Sequence, residues 1–154
     1  MLQKIISGGQ TGADRAALDF AIERNVPHGG WVPKGRKAED GRIPDRYQLQ
    51  ELPTESYRER TERNVIDSDG ILIISHGELI PGSGSAYTAR MAGKHSRPWL
   101  HLDMVKFTVH EGAQALREWV TEKGITVLNV AGPRESQDPK IYSVTRSVLE
   151  AVFC

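Results

Sequence analysis

Cysteine is all but missing from this chain: its one copy, Cys154, is the last residue, so there is no disulfide framework and no thiolate cluster for a metal. That usage suits a reducing compartment, and a cytoplasmic location is expected. Net charge is missing as well, because twenty Lys and Arg stand against twenty Asp and Glu. A protein that grips nucleic acid along its backbone carries a basic excess, so no nucleic-acid partner is expected. No apolar run approaches the roughly 20 residues that span a bilayer, and the N-terminus shows no charged stretch followed by a signal-type apolar run, so no membrane partner is expected either. The five histidines, at 28, 76, 95, 101 and 110, lack metal-ligand spacing and read as structural.

What is present is an alternation of short apolar runs with longer amphipathic ones. Strands are expected at Lys4 to Ser7, Gly70 to Ser75, Trp99 to Asp103 and Thr126 to Ala131, with weaker ones near Gly30 to Val32 and Leu49 to Leu52. Between them, Gly12 to Arg24 sets Ala13, Ala17, Phe20 and Ala21 on one helical stripe, and Thr54 to Asp67 reads as a charged helix capped by Thr54. Glu111 to Lys123 forms another helix, stopped by Gly124, and Asp138-Pro139 opens a last one. At 154 residues with 38% hydrophobic content, the whole chain, 1–154, suits one α/β domain. The expected fold is Rossmann-like and doubly wound: a mostly parallel sheet flanked by helices on both faces.

In such a sheet the ligand crevice lies at the carboxyl ends of the strands. The first strand breaks into Gly8-Gly9-Gln10-Thr11-Gly12 and restarts as a helix, baring N–H groups at the positive end of a helix dipole, which makes a seat for phosphate. Asp14 reads there as half of a capping box with Thr11, since a carboxylate beside a phosphate is repulsive unless a cation such as Mg²⁺ intervenes. A second turn, PGSGSAYT from Pro81, offers Gly82, Ser83, Gly84 and Ser85 as a second anion seat or as a plain surface loop. A third, after Thr126 to Ala131, carries Arg134, Glu135 and Ser136, and the Arg134 fork suits a phosphate or carboxylate.

The stretch Gly29 to Pro44 is too rich in glycine and proline for a regular element and reads as a lid or binding loop bearing Lys34, Arg36 and Lys37 beside Glu39 and Asp40. Trp31 in it stacks on a ligand ring or anchors the loop in the core. On the Thr54 to Asp67 helix, Arg60, Thr61 and Asn64 share a face that points at the ligand or at solvent. Familiar nucleotide motifs fail at named positions: the glycines do not fall as GxGxxG, Gly12-Ala13-Asp14 stands where a Walker loop needs GK[ST], and no serine sits in a GxSxG elbow.

GGQTGADRAALDFA, GWVPKGRKAEDG, RTERNVIDSDGILIIS and NVAGPRESQDPKIY together resemble the circularly permuted nucleotide-sensor branch of the SLOG superfamily, whose members are commonly labelled molybdenum carrier proteins. The resemblance covers nearly the whole chain. It implies a Rossmann-like domain related to the lysine-decarboxylase-like phosphoribohydrolases, a nucleotide-derived or pterin-type phosphorylated ligand (a nucleotide or molybdenum cofactor), and a homo-oligomer. It places residues 8 to 12 in one phosphate cradle, Gly82 to Ser85 in the second glycine-rich motif, and Asn129, Arg134, Glu135 and Ser136 in this branch's terminal signature.

One departure stands out. The phosphoribohydrolase pattern PGGxGTxxE ends in a catalytic glutamate, and PGSGSAYTAR has Thr88 or Ala89 there. A binding role is therefore expected, as carrier or sensor, with Arg15, Lys34, Arg36 and Arg134 holding the phosphate and Trp31 or Tyr87 stacking on the ring. The competing reading is a hydrolase that cleaves a glycosidic or phosphate ester bond, with Asp14 or Glu135 as acid or base.

Overall fold

The computed structural model describes residues 2–153, so Cys154 lies outside the described residues. In chain order the elements are β1 (Lys4–Ile6), α1 (Ala13–Glu23), β2 (His28–Gly29), β3 (Trp31–Val32), β4 (Lys37–Ala38), β5 (Gly41–Arg42), β6 (Gln50–Glu51) and α2 (Tyr57–Ile66). There follow β7 (Gly70–Ser75), α3 (Gly84–Lys94), β8 (Trp99–Asp103), α4 (Val109–Lys123), β9 (Val127–Ala131) and α5 (Ile141–Phe153). Five strands form one parallel sheet in the order β2-β1-β9-β7-β8.

The strand GILIIS shows why the sheet lies in the middle. All six of its residues are buried; Leu72 and Ile74 pack with α1, α4 and α5 on one face, and Ile71 and Ile73 pack with α2 and α3 on the other. Alternate side chains leave a strand on opposite faces, so a continuous apolar run needs helices on both. The fold is thus an α/β, Rossmann-like doubly wound one. Among the described residues, no helix is long and apolar enough to cross a membrane.

Three local expectations change. The charged helix starts at Tyr57, with Ser56 rather than Thr54 as its cap: Ser56 Oγ accepts from Glu59 N at 3.2 Å, while Thr54 Oγ1 accepts from Ser56 N and shapes the turn before it. Helix α1 starts after Gly12, which sits at φ 84° without any side-chain cap, because Thr11 is turned to other partners. The loop from Gly29 does hold regular structure: β3 pairs with β6, β4 pairs with β5, and Leu18, Val32, Ala38, Ile43 and Tyr47 form a small core against α1.

The central strands β1, β9 and β7 end side by side, and their following turns meet. A β-carbon on Gly132 would lie 2.4 Å from the Ile74 carbonyl oxygen and 2.7 Å from Ala13 Cβ. Gly93, on α3, has nothing within 4 Å of such an atom. Gly132→Ala is expected to cost about 2 to 3 kcal/mol through overpacking against backbone. Gly93→Ala is expected to gain about 0.5 to 1 kcal/mol from lower chain entropy. Urea unfolding of the two variants beside the parent checks both signs.

Candidate functional site

The turn after β1, the inner face of α2, the start of α3 and the turn after β9 enclose a cleft of about 80 Å³ at the carboxyl edge of the sheet. Gly8, Gln10 and Asp14 line one wall, Arg60, Thr61 and Asn64 a second, Gly84, Ser85 and Thr88 a third, and Asn129 to Arg134 with Gln137 the floor. Residues from four separate stretches of sequence therefore converge on one small space.

Asp14 and Arg60 form its electrostatic centre. Arg60 Nη1 donates to the Gly8 carbonyl oxygen at 3.2 Å and to Asp14 Oδ2 at 3.3 Å, and the same carboxylate oxygen accepts from Gln10 N at 3.2 Å. A β-carbon on Gly8 would sit 1.9 Å from Arg60 Nη1, so any side chain there would push the guanidinium out of its place. Burial pushes the Asp14 carboxyl up to about 6, against the pull of Arg60, the Gln10 N–H, Arg15 and Arg134. Burial likewise weighs against the Arg60 charge, which Asp14 supports and Arg134 opposes. Two guanidinium groups thus share the cleft with one carboxyl that changes charge near neutral pH.

The first glycine-rich turn uses most of its donors internally. The N–H of Gly9 donates to Ser7 Oγ at 3.3 Å, that of Thr11 to Gln10 Oε1 at 3.1 Å, and that of Ala13 to the Pro133 carbonyl oxygen at 3.4 Å. Thr11 Oγ1 donates to the Glu39 carboxylate and accepts from Glu135 N at 3.1 Å. Ser136 donates to Glu39 too, from Oγ and, at 3.2 Å, from its N–H. These contacts hold the Glu39 carboxylate below its ordinary range, burial opposing them. Glu39 therefore sits as an internal anion between the turn of residues 8 to 12 and the loop of residues 132 to 140. Gly12, at φ 84°, has no room for a β-carbon beside the Pro133 carbonyl oxygen, 2.4 Å away.

The second glycine-rich turn is left open. Ser83 caps α3 by accepting from Ala86 N at 3.2 Å, and the N–H groups of Gly84 and Ser85 take no partner among the described residues. Both residues line the cleft, while Gly82 and Ser83 line an adjoining space. Of the other residues expected at a site, Asn129 and Arg134 reach the cleft. Arg15 is bound to the Gly9 carbonyl oxygen at 2.9 Å and forks onto Asp40 at 2.7 and 2.8 Å. Arg36 is buried against the carbonyl oxygens of Ile43, Pro44 and Tyr47, where it fastens the loop to itself. Lys34, Glu135 and Ser136 are exposed outside the cleft lining.

Trp31 donates from Nε1 to Asp67 at 2.7 Å and lies 4.3 Å beneath the Arg63 guanidinium, so it anchors the loop on α2. Tyr87 packs beside the α2 and α3 core, with Arg58 and Arg90 over its ring. Arg60, Thr61 and Asn64, which by sequence face either a ligand or solvent, all line the cleft. Their shared helical face was the available signal. What turns it inward is Asn64, which is 2% exposed and bonds both backbone atoms of Trp31.

Because the folded chain favours the protonated carboxyl, Asp14 contributes stability below its ordinary 3.8 that is lost as pH rises through about 6. Following the Asp14 carboxyl carbon by NMR from pH 3 to 8 is expected to give a midpoint of about 6. Arg60→Gln removes the attraction to the carboxylate and is expected to move that midpoint higher.

The family model described as the circularly permutated YpsA SLOG family matches residues 5–153. A crystal structure described as a "Putative molybdenum carrier protein" from Syntrophus aciditrophicus SB is 54% identical and superposes with a TM-score of 0.97. The match covers 99% of this chain and 96% of that one. No curated protein matches. A family match over that span, beside a solved structure more than half identical in sequence, settles membership: the chain belongs to the circularly permutated YpsA SLOG family.

Proposed function

We propose that the protein binds a phosphorylated small molecule, nucleotide-derived or pterin-type, and acts as a carrier or sensor. The observation that carries this reading is the convergence of Arg60, Arg134 and the unpartnered Gly84 and Ser85 N–H groups on one cleft. Guanidinium forks and helix N-terminal amides are the donors that suit a phosphate, and 80 Å³ holds a group of that size but not a whole nucleotide. The carrier form of the reading draws on the relative named for molybdenum. Among the described residues, no group of three or more His, Cys, Asp or Glu stands placed to hold a metal ion. In this reading a molybdenum centre is cargo: the protein grips phosphate and ring, and the metal rides on the pterin.

A second reading, hydrolysis of a nucleotide, is favoured by Asp14, because a carboxyl pushed up to about 6 inside a phosphate-sized cleft suits an acid or base near neutral pH. Against it stands the segment PGSGSAYTAR, with Thr88 or Ala89 where the superfamily's glutamate would fall. Thr88 Oγ1 is bound to the Gly84 carbonyl oxygen at 3.0 Å and offers no carboxylate.

Calorimetric titration with AMP checks the binding reading. Arg134→Ala is expected to weaken binding by about 10-fold or more, the usual worth of a lost charge-assisted hydrogen bond. Incubation with nucleoside monophosphates is expected to release neither base nor phosphate. Turnover that Asp14→Asn abolishes would establish the hydrolase instead.

A further inference from the structure

A second space of about 840 Å³ adjoins the cleft and shares Ser85, Pro133 and Gln137 with it. The turn after β7, residues 76 to 83, makes one wall, and residues 137 to 140 make the other. The two walls are joined by His76 Nδ1 and Asp138 Oδ2, 2.6 Å apart. Gly77 N donates to Asp103 Oδ1 at 2.8 Å and ties the base of the turn to β8. The space is therefore held from both sides.

Its chemistry differs from the cleft's. Leu79, Ile80, Pro81, Pro133 and Pro139 supply an apolar lining, and at its edge stand the carboxylates of Glu78 and Asp138, the latter bonded to His76, and the ammonium of Lys140. Glu78 takes no hydrogen bond from any described residue, and Ile80 is 71% exposed. Charges of both signs stand at the edge, and the surface between them is mainly apolar, so the lining suits an uncharged group better than a second phosphate. The volume lies within the roughly 300 to 1,000 Å³ of small-molecule sites, whereas the cleft holds little beyond a phosphate.

We propose that this space is the ring subsite of the ligand: it takes an uncharged planar nitrogen heterocycle, joined to the phosphate that sits between Arg60 and Arg134. Ile80 and Pro81 cover the ring's apolar face, and Glu78 accepts from its exocyclic amino group. The inference rests on the phosphate seat proposed above and adds where the rest of the ligand lies and which residues select it. Purine nucleotides and pterin phosphates share this chemistry.

The test is calorimetric titration of the full chain with ribose 5-phosphate, AMP and a pterin monophosphate. At least one heterocyclic probe is expected to bind about 10-fold or more tighter than ribose 5-phosphate, through the apolar area it covers. The tighter of the two identifies the source. Ile80→Asp changes an exposed side chain and leaves the core intact; it is expected to erase that advantage and leave ribose 5-phosphate binding as it was. Heterocyclic probes that bind no tighter than ribose 5-phosphate overturn the ring subsite alone, as does an Ile80→Asp variant that keeps their advantage. If no phosphorylated probe binds, the phosphate seat fails and the ring subsite falls with it.

Discussion

Two strand-to-helix turns in this protein approach each other more closely than side chains allow, and the rest of the site is arranged around that approach. Gly12 lies against the Pro133 carbonyl oxygen, and Gly132 against Ile74 and Ala13. With no β-carbons to part them, the turns after β1 and β9 can be stitched directly, Ala13 N to the Pro133 carbonyl oxygen and Glu135 N to Thr11 Oγ1. Protein interiors are packed closely enough that a single added carbon is felt, so this seam is stiff. It holds Asp14 in the first turn of α1 and Asn129 in the middle of β9, on neighbouring sides of one cleft.

On that stiff floor stands a buried ion pair whose purpose is hard to find in stability alone. Removing two charges from water costs several kcal/mol per ion, and their attraction repays it only when the remaining hydrogen-bonding groups are also met. Asp14 is met by Gln10 N and Arg60; Arg60 is met by Asp14, the Gly8 carbonyl oxygen and, at 3.5 Å, the Tyr57 carbonyl oxygen. The second terminal nitrogen of Arg60 has no partner among the described residues. The guanidinium is thus half satisfied by the chain and half turned to the cleft. The raised Asp14 carboxyl is the other side of the same bargain, since desolvation disfavours its charge.

The sheet and its helices could be read from the chain because their signals are local. GILIIS needs cover on two faces wherever it sits, and Gly124 ends α4 in the left-handed conformation, at φ 63°, that glycine adopts freely. The site was harder because its choices are made by partners distant in sequence. YRERTERN offers three arginines within eight residues, and only the docking of Asn64 on Trp31 decides that Arg60 faces inward while Arg63 lies over an indole ring. Arg15 and Arg36 look equally apt for phosphate in the sequence, yet one is taken by Asp40 and the other by three carbonyl oxygens of its own loop. Thr11 is drawn away from capping α1 because Glu39, 28 residues on, competes for its hydroxyl.

Glu39 also explains why two similar glycine-rich turns have different standing. Both present helix N-termini at the same edge of the sheet, but a carboxylate from the loop of residues 29 to 54 already binds the Thr11 hydroxyl and the Ser136 donors, supplying an anion from within the chain. Among the described residues no carboxylate bonds the start of α3; the cleft's one carboxyl, Asp14, is taken by Gln10 and Arg60, and Arg134 stands beside them. The positive potential left over is therefore concentrated at the second turn. The phosphate proposed for this cleft would meet least internal competition there, at the end where the large apolar space begins.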